Sequence, residues 1–208
     1  MQRGVCFGDG VSLYSDEAHG FLLAFQSSSA HNELAVAQDQ HLFQPQLPNP
    51  HCAVFLLHPP NRYKLAKEAG EAQRPFADAP AHSQPALLRT AIEAAKAEAA
   101  DNVAEQRRQA GKPIYYGSTL QLLHSFTGKY LHVNATQTSW TEPSNILTEL
   151  RAENGKTGLW RLLPRYKVKT EGDAVAEGDQ IMLESVKSPG HFLHTSSQPF
   201  NPRLVYHP

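Results

Sequence analysis

The sequence predicts a mainly β fold, assembled from repeated strand units and interrupted once by a helical arm. Three observations predict it. A glycine-led strand pattern occurs three times, a second shared segment ends in an aromatic residue and a proline, and an alanine-rich stretch with helical apolar spacing separates the first two copies.

The first copy reads Gly8-Asp9-Gly10-Val11-Ser12-Leu13-Tyr14, a polar turn, then Gly20-Phe21-Leu22. The second reads Gly117-Ser118-Thr119-Leu120-Gln121-Leu122-Leu123, a turn, then Gly128-Lys129-Tyr130-Leu131. The third runs Gly178-Asp179-Gln180-Ile181-Met182-Leu183 to Gly190-His191-Phe192-Leu193, with one extra turn residue. Apolar residues fall at +3 and +5 from each leading glycine, and an aromatic-leucine pair falls at +13 and +14 in the first two copies. Alternation, a glycine turn and an aromatic restart are the signature of a hairpin.

Later in the first two units, Ala53-Val54-Phe55-Leu56-Leu57-His58-Pro59 matches Gly158-Leu159-Trp160-Arg161-Leu162-Leu163-Pro164. A unit of about 45 residues thus holds two hairpins' worth of strands and ends in a buried aromatic and a proline exit. Three such units closing on one another make a barrel without open edges. Leading glycines one and two are 109 residues apart and two and three are 61 apart, so the 48-residue excess is an insertion.

That insertion is expected between Asn61 and Lys112. A short helix over Arg62 to Ala72 is followed by a bend at Pro75 to Pro80. A long helix then starts at Ser83 and Pro85, with Leu88, Ile92, Ala95, Ala99 and Val103 as a narrow apolar stripe. Gln106-Arg107-Arg108 place cations in its last turn, and Gly111 supplies a left-handed stop. In the third unit a closing aromatic is due near residue 223, whereas the sequence ends at Pro208 after the turn-rich Pro199-Phe200-Asn201-Pro202. The third unit is therefore expected to be incomplete and the chain to be a fragment or the product of an aberrant gene model.

The 208 residues suffice for one well-filled core, and 40% hydrophobic with 19% charged residues is ordinary for a soluble globular chain. A net charge of −1 gives no global attraction to nucleic acid or an anionic membrane. The longest apolar run, Ala53 to Leu57, is far too short to span a bilayer, and no signal-peptide stretch follows Met1. Cys6 and Cys52, without a pairing pattern, suit a reducing compartment.

Chemistry finds little support. His51, Cys52 and His58 lack zinc-ligand spacing, and His124, His132 and His194 are expected to face solvent beside their strands. Ser27-Ser28-Ser29 with His31 has no nucleophile elbow. Gly8-Asp9-Gly10 is no phosphate loop, and no carboxylate pair is placed for acid-base work. No enzyme, metal or cofactor is expected. One basic cluster, Arg161, Arg165, Lys167 and Lys169 around Tyr166, offers a site for a phosphate-bearing ligand, with a solvated loop as its bland alternative. Asn134-Ala135-Thr136 is a glycosylation sequon, informative only outside the cytosol.

Several runs resemble one family, the amino-terminal (suppressor) domain of inositol trisphosphate receptors, with ryanodine receptors more distant. They are Gly8-Asp9-x-Val11-Ser12-Leu13-Tyr14 with Gly20-Phe21, Asn61-Arg62-Tyr63, Tyr116-Gly117 into Leu120-Gln121-Leu122-Leu123-His124, Lys129-Tyr130-Leu131-x-Val133, Trp160 into Pro164-x-Tyr166-Lys167, Gly172-Asp173-x-Val175 and Gly178-Asp179. The resemblance implies a β-trefoil with an inserted helix-turn-helix arm. Its units would lie at about 4–60, 113–170 and 175–208, with the arm at 61–112. It also implies a non-catalytic domain that tunes ligand affinity and couples ligand binding to opening of an intracellular calcium-release channel.

Such a domain sits on the cytosolic face of the endoplasmic reticulum or another calcium store. Its partners would be the inositol trisphosphate-binding core that follows, neighbouring subunits of a tetramer and calmodulin-like regulators, with no nucleic acid and no direct membrane contact. Tyr166 with Lys167 matches the family's exposed coupling loop, Lys129 a contact with the ligand-binding core, and Phe25 an apolar contact. Where the family continues with a short apolar-acidic run, this chain has Gln26-Ser27-Ser28-Ser29. The competing reading is a lectin-like trefoil (MIR-type) of the secretory pathway. Sugar-binding trefoils of the ricin type carry Gln two residues before the unit's Trp, where this chain has Gly158 before Trp160 and Ala53 before Phe55.

Overall fold

The computed structural model describes residues 2–26, 32–38, 48–76, 85–139 and 142–196. It is mainly β. Strands β1 (Gly10–Val11), β2 (Tyr14–Ser15), β3 (Gly20–Gln26) and β4 (Asn32–Gln38) precede a short helix α1 (Pro50–Ala53) and β5 (Phe55–His58). Helices α2 (Lys64–Gln73) and α3 (Ala86–Gln109) come next. Strands β6 (Thr119–His124), β7 (Lys129–Thr138), β8 (Ile146–Arg151), β9 (Trp160–Pro164) and β10 (Ile181–Ser185) complete the order. Every pairing is antiparallel. One sheet runs β1-β5-β6-β7-β8, with β9 joining β6 to β10, and a second runs β2-β3-β4.

The three leading glycines adopt one conformation. Gly8, Gly117 and Gly178 have φ of 88°, 90° and 82°, a region side chains rarely enter. Each closes a tight turn: Asp9, Ser118 and Asp179 donate N–H to Cys6, Tyr115 and Ala176, all at 3.1 Å. Just before them the chain closes a ring. Val5 donates to Val175, Val175 to Ile114 and Ile114 back to Val5, each at 2.9 Å. A second set repeats the cycle, with Phe7 donating to Lys112, Tyr116 to Asp173 and Glu177 to Arg3.

The segments matched at Phe55 and Trp160 also play one part. Phe55 lies opposite Val11 and His124, and Trp160 opposite Leu120 and Ser185, so each strand stitches two units together. Phe55 is fully buried and Trp160 is 1% exposed, its indole N–H held by the Leu131 carbonyl at 3.0 Å. Around them pack Leu57, Ile114, Leu122, Leu131 and Leu162.

Two helices lie between β5 and β6, α2 within two residues of its predicted bounds and α3 stopping before Gly111 at φ 78°. Ser83 lies outside the described residues; α3 begins after Pro85, which makes no side-chain cap. The expected apolar stripe needs correction. Val103 is 45% exposed and Ala99 is exposed, while Leu88, Glu98 and Asn102 are the buried residues of α3. The inward face turns polar because it meets backbone ends rather than side chains. Glu98 accepts from the Leu65 and Ala66 N–H groups at 3.1 and 3.0 Å, and Asn102 bonds both backbone groups of Arg62 at 2.8 Å.

A second correction concerns histidines. His124 is fully buried and His132 is 1% exposed; only His194 faces solvent as expected. Alternation with the core residues Leu131 and Val133 places His132 on the outer face of β7, but that face is covered; His124 falls in step with Leu120 and Leu122 and opposite the buried Phe55, on the core face of β6. His124 Nε2 lies 3.2 Å from the carbonyl of Cys52 in α1, and His132 Nδ1 lies 2.9 Å from Thr157 in the 3₁₀ turn Lys156–Gly158. Gly158 has no room for a side chain, since an added Cβ would stand 2.7 Å from the His132 ring.

Candidate functional site

The loop after β9 carries the basic cluster, and local bonds make its shape. Thr170 donates its N–H (2.8 Å) and hydroxyl (3.1 Å) to Asp173 Oδ2, while Asp173 N–H returns to the Thr170 carbonyl at 3.1 Å. The Thr170 N–H, then its hydroxyl, hold the Asp173 carboxyl below the usual carboxylate range, with the charge of Lys169 adding to them. Arg161 pairs with Glu171 at 2.6 Å, which removes it from the cluster as a free cation. The loop base is fixed to neighbouring segments by Gly172 donating to Tyr116 (2.9 Å) and Arg165 to Gln180 (3.1 Å).

Above that base, Tyr166 is 59% and Val168 87% exposed, flanked by Arg165, Lys167 and Lys169. Among the described residues none of these three cations has a carboxylate ion pair. An apolar tip ringed by unpaired cations on a braced stem can dock against an acidic, partly apolar surface. Tyr166 and Lys167 therefore stand together. Lys129, half-buried at the first position of β7 opposite His124, lines the same broad groove as Tyr166. Phe25 lies in β3 with its backbone opposite Glu33; its side chain lies outside the described residues. The triplet Ser27–Ser29 with His31 also lies outside them.

A second constellation escaped the sequence reading, a polar junction where the helical pair meets β6 and β7. Asn61 donates its backbone N–H to Gln121 Oε1 (2.8 Å), and its Nδ2 reaches both the Tyr130 hydroxyl and Asn154 Oδ1 at 3.0 Å. Its Oδ1 accepts from Gln106 of α3 at 2.9 Å, and His58 Nδ1 lies 3.2 Å from the Tyr130 hydroxyl. Burial raises the Tyr130 pKa, opposed by bonds from Asn61 and Gln106, and burial lowers that of His58. Asn61 thus ties α3, β7 and the loop before β9 to its side chain and β6 to its backbone N–H. Its signal in the sequence was the word Asn61-Arg62-Tyr63, which carries no information about partners 45 to 93 residues away.

Among the described residues no group of three histidine, cysteine or acidic residues is placed to hold a metal, and no helix is long and apolar enough to cross a membrane. The sequon asparagine, Asn134, is buried and folded onto Thr136, which bonds its Oδ1 through N–H at 3.2 Å and hydroxyl at 2.8 Å.

Known proteins agree with this architecture. By structure the chain is similar to the SDF2-like protein from Arabidopsis thaliana (TM-score 0.58, 12% identity, covering 96% of this chain and 82% of that one). It is also similar to a Caenorhabditis elegans protein of unknown function (TM-score 0.59, 14% identity, 96% and 83%). At such identities these likenesses speak for the fold alone. By sequence it is 28% identical over 210 residues to the inositol 1,4,5-trisphosphate receptor itr-1 of Caenorhabditis elegans, covering 91% of this chain but 7% of that receptor. The family model described as inositol 1,4,5-trisphosphate/ryanodine receptor matches residues 1–204, nearly the whole chain. The chain belongs to the inositol 1,4,5-trisphosphate/ryanodine receptor family.

Proposed function

We propose that this chain is a non-catalytic regulatory domain of an inositol trisphosphate-gated calcium-release channel, tuning ligand affinity and transmitting ligand binding to the gate. In this reading it is a β-trefoil with units at about 4–60, 113–170 and 175–208 and an arm at 61–112. The cyclic bonds among Val5, Ile114 and Val175 support a common axis for the three units. The domain works at the cytosolic face of a calcium-store membrane, against the ligand-binding core, neighbouring subunits and calmodulin-like regulators.

The observation that carries the reading is the braced loop with Tyr166 and Val168 exposed among three cations that have no ion pair among the described residues, in a chain of this family. Coupling requires contacts that differ between resting and liganded states. A stiff stem with an adhesive tip supplies such a contact without reshaping the barrel. In a tetrameric receptor carrying this domain, Tyr166→Ala is expected to blunt ligand-evoked calcium release while ligand binding to the core persists. Unaltered release would remove the loop from the coupling path. The isolated chain is expected to bind no inositol trisphosphate, and micromolar binding by calorimetry would overturn that assignment.

A further inference from the structure

Strands β5 and β9 obey one register. The buried residue, Phe55 or Trp160, lies opposite the residue three after its own leading glycine (Val11, Leu120) and seven after the next (His124, Ser185). Two residues on, the Leu57 and Leu162 carbonyls accept from the Gly8 and Gly117 N–H groups at 2.8 and 2.7 Å, and their N–H groups donate to Asp9 and Ser118 at 3.0 and 2.9 Å. One residue back, Val54 and Leu159 accept from Ser125 and Val186 at 2.9 and 3.1 Å.

Carried to the third repeat, the rule calls for a strand between Ile181 and Ser15. It would accept from the N–H groups of Gly178 and Asp16 and donate to the Asp179 carbonyl. Among the described residues no strand lies there, and neither N–H has a partner. The two edges stand apart yet are tied: Gln180 Nε2 donates to Asp16 Oδ2 at 2.8 Å. A glutamine-aspartate pair spans roughly the 10 Å that two inter-strand steps require. The groove is apolar at its floor, lined by Trp160, Leu183, Val133, Leu150, Leu22 and Leu34.

We propose that this gap is a strand-accepting site whose occupant is the chain's own Leu204-Val205-Tyr206-His207-Pro208. Both filled positions place a large apolar residue, a second apolar residue two later and a proline four later: Phe55, Leu57 and Pro59, then Trp160, Leu162 and Pro164. Leu204, Tyr206 and Pro208 repeat that spacing. Leu204 then plugs the groove beside Ile181 and Ser15, Val205 sits across from Gln180, and the Tyr206 carbonyl takes the Gly178 N–H. The chain is already at the mouth, with Thr195 Oγ1 2.6 Å from Ser15 Oγ, and eight residues remain for the return. On this proposal the third unit, expected to lack its closing strands, gains one. It rests on the threefold register and is independent of the coupling role.

Hydrogen exchange on the 208-residue chain tests it. The amides of Asp16 and Gly178 are expected to exchange at least about tenfold slower than unstructured amides, and Leu204→Asp with Tyr206→Asp should release both while Val175 stays protected. A second measurement holds if that variant does not fold: Gln180→Cys with Val205→Cys, in a Cys6→Ser, Cys52→Ser background, should form an intramolecular disulfide under mild oxidation. Unprotected Asp16 and Gly178 in the unmodified chain would overturn the proposal. So would protection that survives the double substitution or rises with protein concentration, the mark of a second copy in the groove, or failure of the cysteine pair to cross-link.

Discussion

Glu98 decides whether α2 is a helix. Taken alone, the ten residues of α2 are below the length at which isolated helices persist, and they include Gly70. Tyr63 gives no side-chain cap and the first turn has no acid of its own. The cap comes from α3, where Glu98, 6% exposed, accepts from Leu65 and Ala66. Each hydrogen bond to a charged group contributes about 1.5–3 kcal/mol, and the carboxylate also meets the positive end of the helix. The two bonds share one side chain and water enters when it is truncated, so Glu98→Ala is expected to cost the helical pair about 2–4 kcal/mol. Glu98→Gln keeps an acceptor and loses the charge, for about half that cost. Since each 1.4 kcal/mol is tenfold, α2 amides should exchange roughly 30- to 1,000-fold faster in Glu98→Ala, with the β6 amide of Leu122 unaffected. Exchange of Leu65 and Ala66 within about threefold of the parent would refute the cross-helix cap.

Gly158→Ala forces a Cβ to 2.7 Å from the buried His132 ring, an overpacking worth about 1–3 kcal/mol in chemical denaturation; an unchanged midpoint would mean that the turn over His132 yields freely. Burial, followed by the charge of Arg151, lowers His132 to about 4, so the folded state binds its proton later than the unfolded chain, whose pKa is near 6.5. Stability is therefore full above pH 6.5 and falls as pH drops toward 4, by about 3 kcal/mol from this group; His132→Gln should flatten that slope in urea melts. Tyr166→Ala, at 59% exposure, should shift stability by less than about 0.5 kcal/mol, which a thermal melt can check before any loss of coupling is attributed to the loop.

The parts of this fold that one local segment determines were readable. Glycines at φ near 90° announce themselves by position, Phe55 and Trp160 by the words around them, and α2 and α3 by alanine-rich composition between β patterns. Alternation correctly put His132 on the outward face of β7, whereas His124, in step with Leu120 and Leu122, was legible as inward-facing and the expectation of solvent overlooked it. Alternation could not say that the Lys156–Gly158 turn would cover the outward face of β7, because the covering Thr157 lies 25 positions away. The same limit hid the inner face of α3, where the buried residues are chosen by backbone ends of α2 rather than by hydrophobicity. At the candidate site, the exposed tip at Tyr166 was legible, whereas the loss of Arg161 to Glu171 required a turn whose closure only coordinates reveal.

The ring joining Val5, Ile114 and Val175 bears on why so large an insertion is tolerated. Bringing Val5 to Ile114 closes a loop of 109 residues, against 61 between Ile114 and Val175. Loop-closure entropy grows only with the logarithm of length, so the longer detour costs about 0.5 kcal/mol more even if the inserted residues were coil. Folding α2 onto α3 shortens the effective path. The helical pair between β5 and β6 can thus be carried at that connection at almost no thermodynamic cost, leaving its length and surface free to vary while the ring stays closed.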